Sequence, residues 1–327
     1  MSANNYPAAF KIPARTHAVS HLMPVRNGSK DLGISLPSLL SNTAVGDEVV
    51  LVDDGSTDST PQLLADLVQQ YPQVKVVTTK GLGLVGALNL GVANCSFEWI
   101  ARYDVDDDWD TERVSEQINC ITPKSVVIFS DYNFFLDGKD YAGWIPSPIF
   151  PLATLLSLPS SQQTAHPSAL IRRDALLKVG GYLDADTPAE DLGLWLRISR
   201  EGDLISVPQT LLHYNLSRGS YSAVKREQIL IRKSEMIRGY GLVFSNYTNF
   251  RSQVFTEFNS YKQYSQTFIR RILFIRNLRN SVKLYPGILK SWEIIYLTIK
   301  TLSRVDIIAL TKFIYFTMKR RAFRNFQ

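Results

Sequence analysis

Four aspartates occupy five consecutive positions directly after an apolar run typical of a buried strand: Asp104, Asp106, Asp107 and Asp108. Because their like charges repel one another, folding alone gives no reason to gather them. A divalent cation such as Mg²⁺ or Mn²⁺ would give one, since these hard ions take carboxylate oxygens and are shared with the phosphates of a nucleotide. The alternative is a solvated acidic loop that caps a helix beginning near Thr111. An EF-hand is excluded because Trp109 and Ser115 stand where that loop needs Gly and Glu.

Two further pairs of acidic residues could serve either a catalytic or binding role or a structural role at a turn or helix start. Asp53 and Asp54 follow an apolar run at 48–52, and the turn after them explains only the residues from Gly55 onward. One of these carboxylates could accept the N3–H of a uracil ring. Glu190 and Asp191 begin a predicted helix, where acids interact favourably with the helix N-terminus. The alternative role for Asp191 is a general base that takes a proton from a hydroxyl group.

The elements that must position these acids alternate along the chain. Apolar runs predict strands, and helical periodicity predicts helices between them. The predicted strands are 18–23, 48–52, 74–78, 97–101, 126–129 and 166–171, and the predicted helices are near 30–41, 59–68, 84–92 and 192–198. Such alternation indicates βαβ units and a parallel sheet, whose ligands bind at the carboxyl ends of the strands. Asp53 and Asp104 both follow a strand, so we expect both acidic runs at one edge of the sheet.

In this order the motifs resemble the inverting family 2 glycosyltransferases of GT-A fold, over about 18–222. The matching segments are VSHLMPVRN (19–27), EVVLVDDGSTD (48–58), KGLG (80–83), ALN (87–89), WIARYDVDD (99–107), HPSALIRR (166–173), GGY (180–182) and AEDLGLWLR (189–197). The resemblance implies an α/β fold of Rossmann-like GT-A type, with a mainly parallel sheet and flanking helices. It also implies a GT-A domain over 17–222, divided into a nucleotide half (17–110) and an acceptor half (111–222).

The resemblance also implies roles for individual residues. Those implied for the nucleotide sugar are Pro24, Asn27, Asp53, Asp54, Lys80, Asn89, Arg102 and Asp104. Within this set Asp54 would contact the base, and Asp104 would bind the ribose. Asp106, together with Asp104, would hold the Mn²⁺ or Mg²⁺ that bridges the diphosphate. Asp191 would be the catalytic base, with Glu190 beside it near the acceptor.

The implied activity is transfer of a hexose, with inversion, from a nucleotide sugar to a glycan or lipid-linked acceptor in surface polysaccharide biosynthesis, and the expected donor is a UDP-sugar. One segment departs from the family: many relatives carry Tyr-Arg-x-His, whereas this chain has Asn215 and Ser217 in place of the Arg and His. Two alternatives stay open. One is a glycan- or membrane-binding scaffold with weak or lost catalysis. The other is a nucleotidyltransferase, although the Gly-rich N-terminal loop of that class is missing.

Charge is distributed unevenly along the chain. The net charge of +6 combines a balance of +12 after residue 261 with −6 before it. Residues 1–16 are predicted to be an irregular lead-in, and 223–327 a basic helical C-terminal region. Its cationic, aliphatic and aromatic residues fit helices that lie on an anionic membrane surface, and a homo-oligomer interface is the alternative. No nucleic-acid module accompanies the charge, so nucleic acid is not an expected partner.

The same residues bear on where the protein works. The first residues lack the basic and apolar regions of a signal peptide, and two cysteines, Cys95 and Cys120, do not form a disulfide framework. We therefore expect a cytoplasmic protein, peripheral on the inner face of the cell membrane.

Overall fold

The computed structural model describes residues 15–136, 139–148, 163–215 and 224–239, together with Leu273, Arg276 and Asn277. Nearly all of the lead-in and most of the basic C-terminal region lie outside these residues. Of the basic helical region predicted over 223–327, the structure therefore describes only 224–239 and these three residues. Within the described residues, no helix combines the length and apolarity that a membrane span requires.

The first half of the chain is a series of βα units. Its elements are β1 (Val19–Val25), α1 (Leu32–Ser41), β2 (Glu48–Asp53), α2 (Thr60–Gln70), β3 (Val74–Thr78), α3 (Gly83–Asn94) and β4 (Trp99–Arg102). All pairings among these four strands are parallel, in the order β3-β2-β1-β4. The predicted parallel sheet is confirmed here, and its carboxyl edge carries both acidic runs.

The second half extends the same sheet with mixed pairing. Its elements are β5 (Asp108–Trp109), α4 (Arg113–Asn119), β6 (Ser125–Leu136), β7 (Lys139–Ile145), β8 (Leu170–Arg172), α5 (Arg173–Lys178), α6 (Glu190–Ile198), β9 (Asp203–Asn215) and α7 (Arg226–Gly239). Beyond β4 the order continues β8-β6-β9-β5, with β7 beside β6. Strand β9 runs parallel to β6, whereas β8, β7 and β5 pair antiparallel. The predicted α/β class, a sheet with flanking helices, is thus confirmed.

Helices cover both faces of the sheet, which explains why its strands are almost continuously apolar. Along β2, Val50 and Val52 join one core cluster with residues of α3 and α6, whereas Val49 and Leu51 join a second cluster with residues of α1 and α2. Successive side chains of a strand point to opposite faces. A strand buried on both sides therefore shows no polar alternation.

Two local predictions were wrong. The segment 166–171 is not one strand, because His166–Ser168 forms a 3₁₀ turn before the short strand β8. Pro24 does not end the first strand but lies inside β1, opposite Val52. Leu22 accepts a hydrogen bond from the backbone N–H of Tyr103 on the β4 side. Alternate residues of a strand direct their backbone N–H and C=O groups to the same side, so Pro24 also faces the β4 side. The pairing with β4 ends at Leu22, so the absence of an N–H at Pro24 costs no hydrogen bond between strands.

Candidate active site

One cleft of about 350 Å³ brings together acidic residues from distant parts of the chain. Asp104 and Asp106 come from the loop after β4, and Glu190 and Asp191 from the start of α6. The volume lies within the roughly 300–1,000 Å³ that small-molecule sites occupy. The structure therefore places both predicted metal ligands and both predicted catalytic residues around one space.

The loop after β4 concentrates negative charge that nearby groups compensate only in part. Asp104 forms an ion pair with the buried Arg102, whose Nη1 lies 2.6 Å from Oδ1. Burial, followed by the charge of Asp104, raises the pKa of Asp106 to about 7. Burial and the charges of Asp106 and Asp104 raise the pKa of Asp107 well above its usual value. Three carboxyl groups are thus crowded together, and Arg102 pairs with one of them, Asp104.

These carboxyl groups fit a divalent cation. Asp107 Oδ1 accepts a hydrogen bond of 2.8 Å from the backbone N–H of Asn215, but its buried Oδ2 has no hydrogen-bond partner in the described part of the chain. Those same ranges contain no group of three or more His, Cys, Asp or Glu residues arranged to hold a metal ion. Mg²⁺ is commonly held by one or two carboxylates together with substrate phosphates. The donor set therefore suits an ion that arrives with a diphosphate.

A buried scaffold fixes the position of this acidic loop. Trp109 Nε1 donates to the carbonyl of Pro167 at 2.9 Å, and Arg113 Nη2 donates to the carbonyls of Arg102 and Ala169 at 3.0 and 3.1 Å. The guanidinium of Arg113 also lies 4.5 Å from the ring centre of Tyr103. These bonds join the loop after β4 to the turn before β8, so two walls of the cleft are held together.

The start of α6 carries two carboxylates in different environments. Asp191 Oδ1 accepts a hydrogen bond of 2.7 Å from the backbone N–H of the next residue, Leu192, and its charge lies in the first turn of the helix, where acids are favourable. Glu190 is 6% exposed, and burial together with the charge of Asp191 raises its pKa to about 7. Its buried Oε2 has no hydrogen-bond partner among the described residues. Glu190 therefore binds a proton at a higher pH than an ordinary glutamate does.

Close packing around α6 fixes these two acids. Asp186 forms an ion pair with Arg197, which also donates to the carbonyl of Gly181 at 2.7 Å. A Cβ at Gly193 would lie only 2.1 Å from Asp186 Oδ2, so this position accepts no larger residue without moving Asp186. On the far face of the helix, Trp195 packs edge-on against Phe129. The sequence predicted a helix at 192–198, and the structure begins it two residues earlier, at Glu190.

His166 lines the cleft and is also part of its structure. Its Nε2 lies 2.8 Å from the hydroxyl of Tyr182, and its ring packs against Trp195 at 5.8 Å between ring centres. Burial, followed by the charge of Arg102, holds the pKa of His166 well below its usual value. The imidazole is therefore neutral at neutral pH and contributes polarity, not charge, to the cleft.

The acids after β2 are used differently from those after β4. Asp54 accepts hydrogen bonds from the backbone N–H groups of Leu82 and Gly83, at 2.6 and 2.9 Å, and from the hydroxyl of Thr79 at 2.6 Å. Asp53 accepts one from the backbone N–H of Ser56 at 3.0 Å. Asp54 therefore binds the start of α3. A nucleotide base that contacts Asp54 would meet a carboxylate that already accepts three hydrogen bonds.

Four more residues expected at the nucleotide do not line the cleft: Pro24, Asn27, Lys80 and Asn89. Asn27, with φ of 53°, joins the loops after β1 and β2 because its Oδ1 accepts from Thr57 N at 2.8 Å. Lys80 is exposed in the loop before α3. Asn89 donates to the carbonyl of Tyr182 at 2.8 Å and accepts from its N–H at 2.9 Å. Both polar atoms of the Asn89 amide thus serve the contact between α3 and the 180–182 turn.

Two groups of cleft residues were missed by the sequence reasoning. One is an aromatic cluster on β6 and β9, with ring centres 5.4 to 6.1 Å apart: Tyr132, Phe134 and Tyr214. The other is a face of α7 that bears cations and aliphatic side chains. The i, i+2 spacing of Tyr132 and Phe134 was a usable signal for one face of a strand. No signal placed α7 against the acids, because only the tertiary fold does so.

Comparisons with known proteins agree with this architecture. Residues 20–180 match the family model described as "Glycosyl transferase family 2". The amylovoran biosynthesis glycosyltransferase AmsE of Erwinia amylovora is 30% identical over 209 residues, which cover 62% of this chain and 76% of AmsE. The Escherichia coli UDP-Glc:alpha-D-GlcNAc-diphosphoundecaprenol beta-1,3-glucosyltransferase WfaP is 28% identical over 233 residues, which cover 68% of this chain and 87% of WfaP.

Solved structures show the same fold at lower sequence identity. The S. aureus TarS 1-349 complex with UDP-GlcNAc superposes with a TM-score of 0.57 at 17% identity and covers 82% of each chain. The mannosyltransferase PcManGT from Pyrobaculum calidifontis, in complex with GDP-Man and Mn²⁺, gives 0.55 at 15% identity and covers 97% of this chain and 90% of its own.

Proposed function

Because the chain belongs to glycosyl transferase family 2, we propose that it transfers a hexose from a UDP-sugar to a lipid-linked sugar acceptor, with inversion at the anomeric carbon. The observation that carries the proposal is the single cleft that joins the acids after β4 to those of α6. The relatives add chemical detail, since the name of WfaP specifies UDP-Glc and a sugar diphospholipid, and AmsE is named for amylovoran biosynthesis. We place the reaction in the assembly of a surface polysaccharide.

In this proposal the donor lies against the loop after β4. Asp106, assisted by Asp104, would hold a Mg²⁺ or Mn²⁺ ion between the protein and the diphosphate. The bound ion would offset the negative charge that builds on the departing nucleoside diphosphate. The raised pKa of Asp106 supports this role, because a carboxylate that lacks compensating charge gains most from a cation. Arg102 keeps Asp104 in place through their ion pair.

The acceptor would lie at the start of α6. Asp191 takes the proton from the acceptor hydroxyl while that oxygen forms a bond to the anomeric carbon. The bond between this carbon and the donor phosphate breaks on the opposite face, and its electron pair leaves with UDP. A single displacement of this kind inverts the anomeric centre and needs no nucleophile from the protein. Glu190 would stay protonated below about pH 7 and could hydrogen-bond the acceptor beside Asp191.

Product formation tests the proposal directly. The full-length protein, with UDP-glucose, UDP-galactose or UDP-N-acetylglucosamine and Mn²⁺, is incubated with an N-acetylglucosaminyl diphospholipid, and the product linkage is determined by NMR. We expect one donor to give a β-linked disaccharide lipid and to raise the melting temperature most, since a bound ligand stabilises the folded state. Equal rates with Mn²⁺ and in excess EDTA would remove the metal from the proposal. UDP binding without transfer to any acceptor would favour the scaffold alternative.

Peripheral membrane association belongs to the same proposal, because a lipid-linked acceptor is presented at a membrane surface. The basic residues after 261 support it, since each Lys or Arg near an anionic surface contributes on the order of 1 kcal/mol. We expect the full chain to sediment with anionic vesicles at low salt and to be released only in part by high salt. A protein truncated after residue 261 should stay in the supernatant. If the full chain does not bind the vesicles, an interface between subunits becomes the better interpretation of the basic C-terminal region.

A further inference from the structure

One face of α7 lines the cleft. Its residues follow the i, i+3, i+4, i+7 spacing of a single helical stripe: Arg226, Ile229, Leu230 and Lys233. We call this set the α7 stripe. The two cations stand at its ends, seven positions apart, and the two aliphatic side chains lie between them. A ligand that touches the whole stripe therefore meets positive charge and apolar surface together.

Contacts of α7 with the rest of the domain hold the stripe in place. Arg232 donates to the carbonyl of Ala185 and pairs with Glu235 at 3.0 Å. Met236 packs against the core cluster that contains α3 and α6. Ala185 lies in the 3₁₀ turn that precedes Glu190 and Asp191. The stripe is thus anchored to the same segment that positions the proposed base.

The stripe is electrostatically opposite to the walls that it faces. Those walls carry the carboxyl groups of Asp104, Asp106, Glu190 and Asp191. Among the described lining residues, Arg102 is the further cation, and it is buried and paired with Asp104 at 2.6 Å. Arg226 is exposed and Lys233 is half-buried. The α7 stripe thus adds the positive charge of Arg226 and Lys233 to a cleft whose other walls carry these acids.

We propose that the α7 stripe binds the diphosphate of the lipid-linked acceptor, with the first isoprene unit against Ile229 and Leu230; this inference rests on the proposed function. In such an acceptor the diphosphate is attached to the sugar whose hydroxyl attacks, so it lies one sugar ring away from Asp191. Arg and Lys are both common phosphate ligands. The donor diphosphate is assigned to the loop after β4, so the proposal assigns the acceptor diphosphate to the cations of α7. Leu230 is 62% exposed and offers apolar surface for the lipid that follows the diphosphate.

Two soluble probes separate the acceptor site from the donor site. Geranyl diphosphate carries a prenyl diphosphate without a sugar, and UDP carries the leaving group of the donor. Calorimetric titrations use the full-length protein, with geranyl diphosphate in EDTA and with UDP in Mn²⁺. The test variant is Arg226→Gln with Lys233→Gln. The control is Lys225→Gln, on the same helical segment but not among the residues that line the cleft.

We expect the double variant to weaken geranyl diphosphate binding by about 10-fold or more, while its affinity for UDP stays within about two-fold and Lys225→Gln changes neither. Retained UDP binding also shows that the variant is folded. An equal loss for both probes would overturn the inference by assigning the stripe to the donor, and unchanged affinity for geranyl diphosphate would overturn it outright. Wild-type protein that binds UDP but not geranyl diphosphate would refute the stripe alone, whereas failure to bind UDP would refute the proposed function.

Discussion

The loops after β2 and β4 are both acidic and both leave the carboxyl edge of the parallel sheet, yet the fold treats their carboxylates in opposite ways. After β2, Asp54 receives three hydrogen bonds and Asp53 one, all from neighbouring loops and the start of α3. After β4, Asp106 and Asp107 face each other's charge, their pKa values are raised, and one buried oxygen of Asp107 lacks a hydrogen-bond partner among the described residues. A carboxylate that the fold has satisfied stabilises it, whereas one that the fold leaves unsatisfied is available for a ligand.

The largest expected effect tests the unsatisfied loop. Asp106→Asn should lower the rate of transfer by ~10³-fold or more, because several kcal/mol of charge stabilisation from the metal would be lost. Donor binding should also lose its dependence on Mn²⁺, which titration calorimetry measures. Asp108→Asn in the same acidic run is the matched control, since Asp108 belongs to β5 and is not among the residues that line the cleft. An equal loss of transfer rate in both variants would mean that the acidic residues 104–108 act through their total charge and not through Asp106 as a metal ligand.

The same substitution on the other loop should damage stability instead. Asp54→Asn replaces one acceptor oxygen with an amide that faces backbone donors, so we expect the free energy of unfolding to fall by about 3 kcal/mol, as hydrogen bonds to a charged group contribute roughly 1.5–3 kcal/mol each. Urea unfolding at pH 8 in EDTA measures it. Under those conditions Asp106→Asn should be at least as stable as the wild type, because it removes a carboxylate that its neighbours repel. If Asp106→Asn loses as much stability as Asp54→Asn, the fold depends on the carboxylates of both loops, and the difference proposed between them is wrong.

Asp191 is bound to the backbone of its own helix and is also the proposed base. Its Oδ1 accepts from the backbone N–H of Leu192, and an asparagine keeps that bond but cannot take a proton. Asp191→Asn should therefore lower kcat by ~10²-fold or more, the scale of lost general-base catalysis. Its donor affinity should stay within a few-fold of the wild type. Near-normal turnover would mean that Asp191 only stabilises the start of the helix and that another residue is the base.

The smallest effect concerns Glu190 and pH. Burial and Asp191 raise its pKa from 4.5 to about 7 in the folded protein, so the unfolded chain releases this proton at lower pH than the folded chain does. Between these two values the contribution of Glu190 to stability declines as pH rises, by on the order of 2 kcal/mol in total. Glu190→Gln should remove that decline, so its unfolding free energy should gain on the wild type from pH 5 to pH 8. A constant difference over this range would contradict the raised pKa.

The sequence predicted the parallel half of the fold better than the mixed half. Near-continuous apolar runs such as 48–52 mark strands buried on both faces, and β1, β2 and β4 are buried along their whole length. The edge strand β3 is only partly buried. The strand β9 was missed because its 13 residues include Pro208 and alternate irregularly between buried and partly exposed positions. The two-residue strand β5 is too short to leave a pattern. Its pairing with His213 and Leu212 depends on a contact far along the chain.

The site was predictable in its acids but not in their surroundings. The family resemblance assigned the carboxylates after β4 and those of α6 to one active site, and the structure places four of them on one cleft. What sequence could not show is which carboxylates find backbone donors. The donors for Asp54 come from residues 82 and 83, in another loop, and those positions have no distinctive side chain. The assignments of Asp54 and Asn89 to the nucleotide stay predictions, and the structure adds a second use for each.

The amide of Asn89 has a consequence for recombining this protein with its relatives. The amide donates to the backbone carbonyl of Tyr182 and accepts from its N–H. A Cβ at Gly181 would lie 2.5 Å from the Oδ1 of Asn89. The junction therefore depends on the side chain on α3 and on the absence of one at position 181, whereas the side chain at 182 takes no part in these two bonds. A chimera that joins residues 1–110 to the later half of a homologue should fold only if that homologue keeps the glycine. Suitable partners for such a chimera can therefore be chosen from their sequences, by the presence of the asparagine at position 89 and the glycine at position 181.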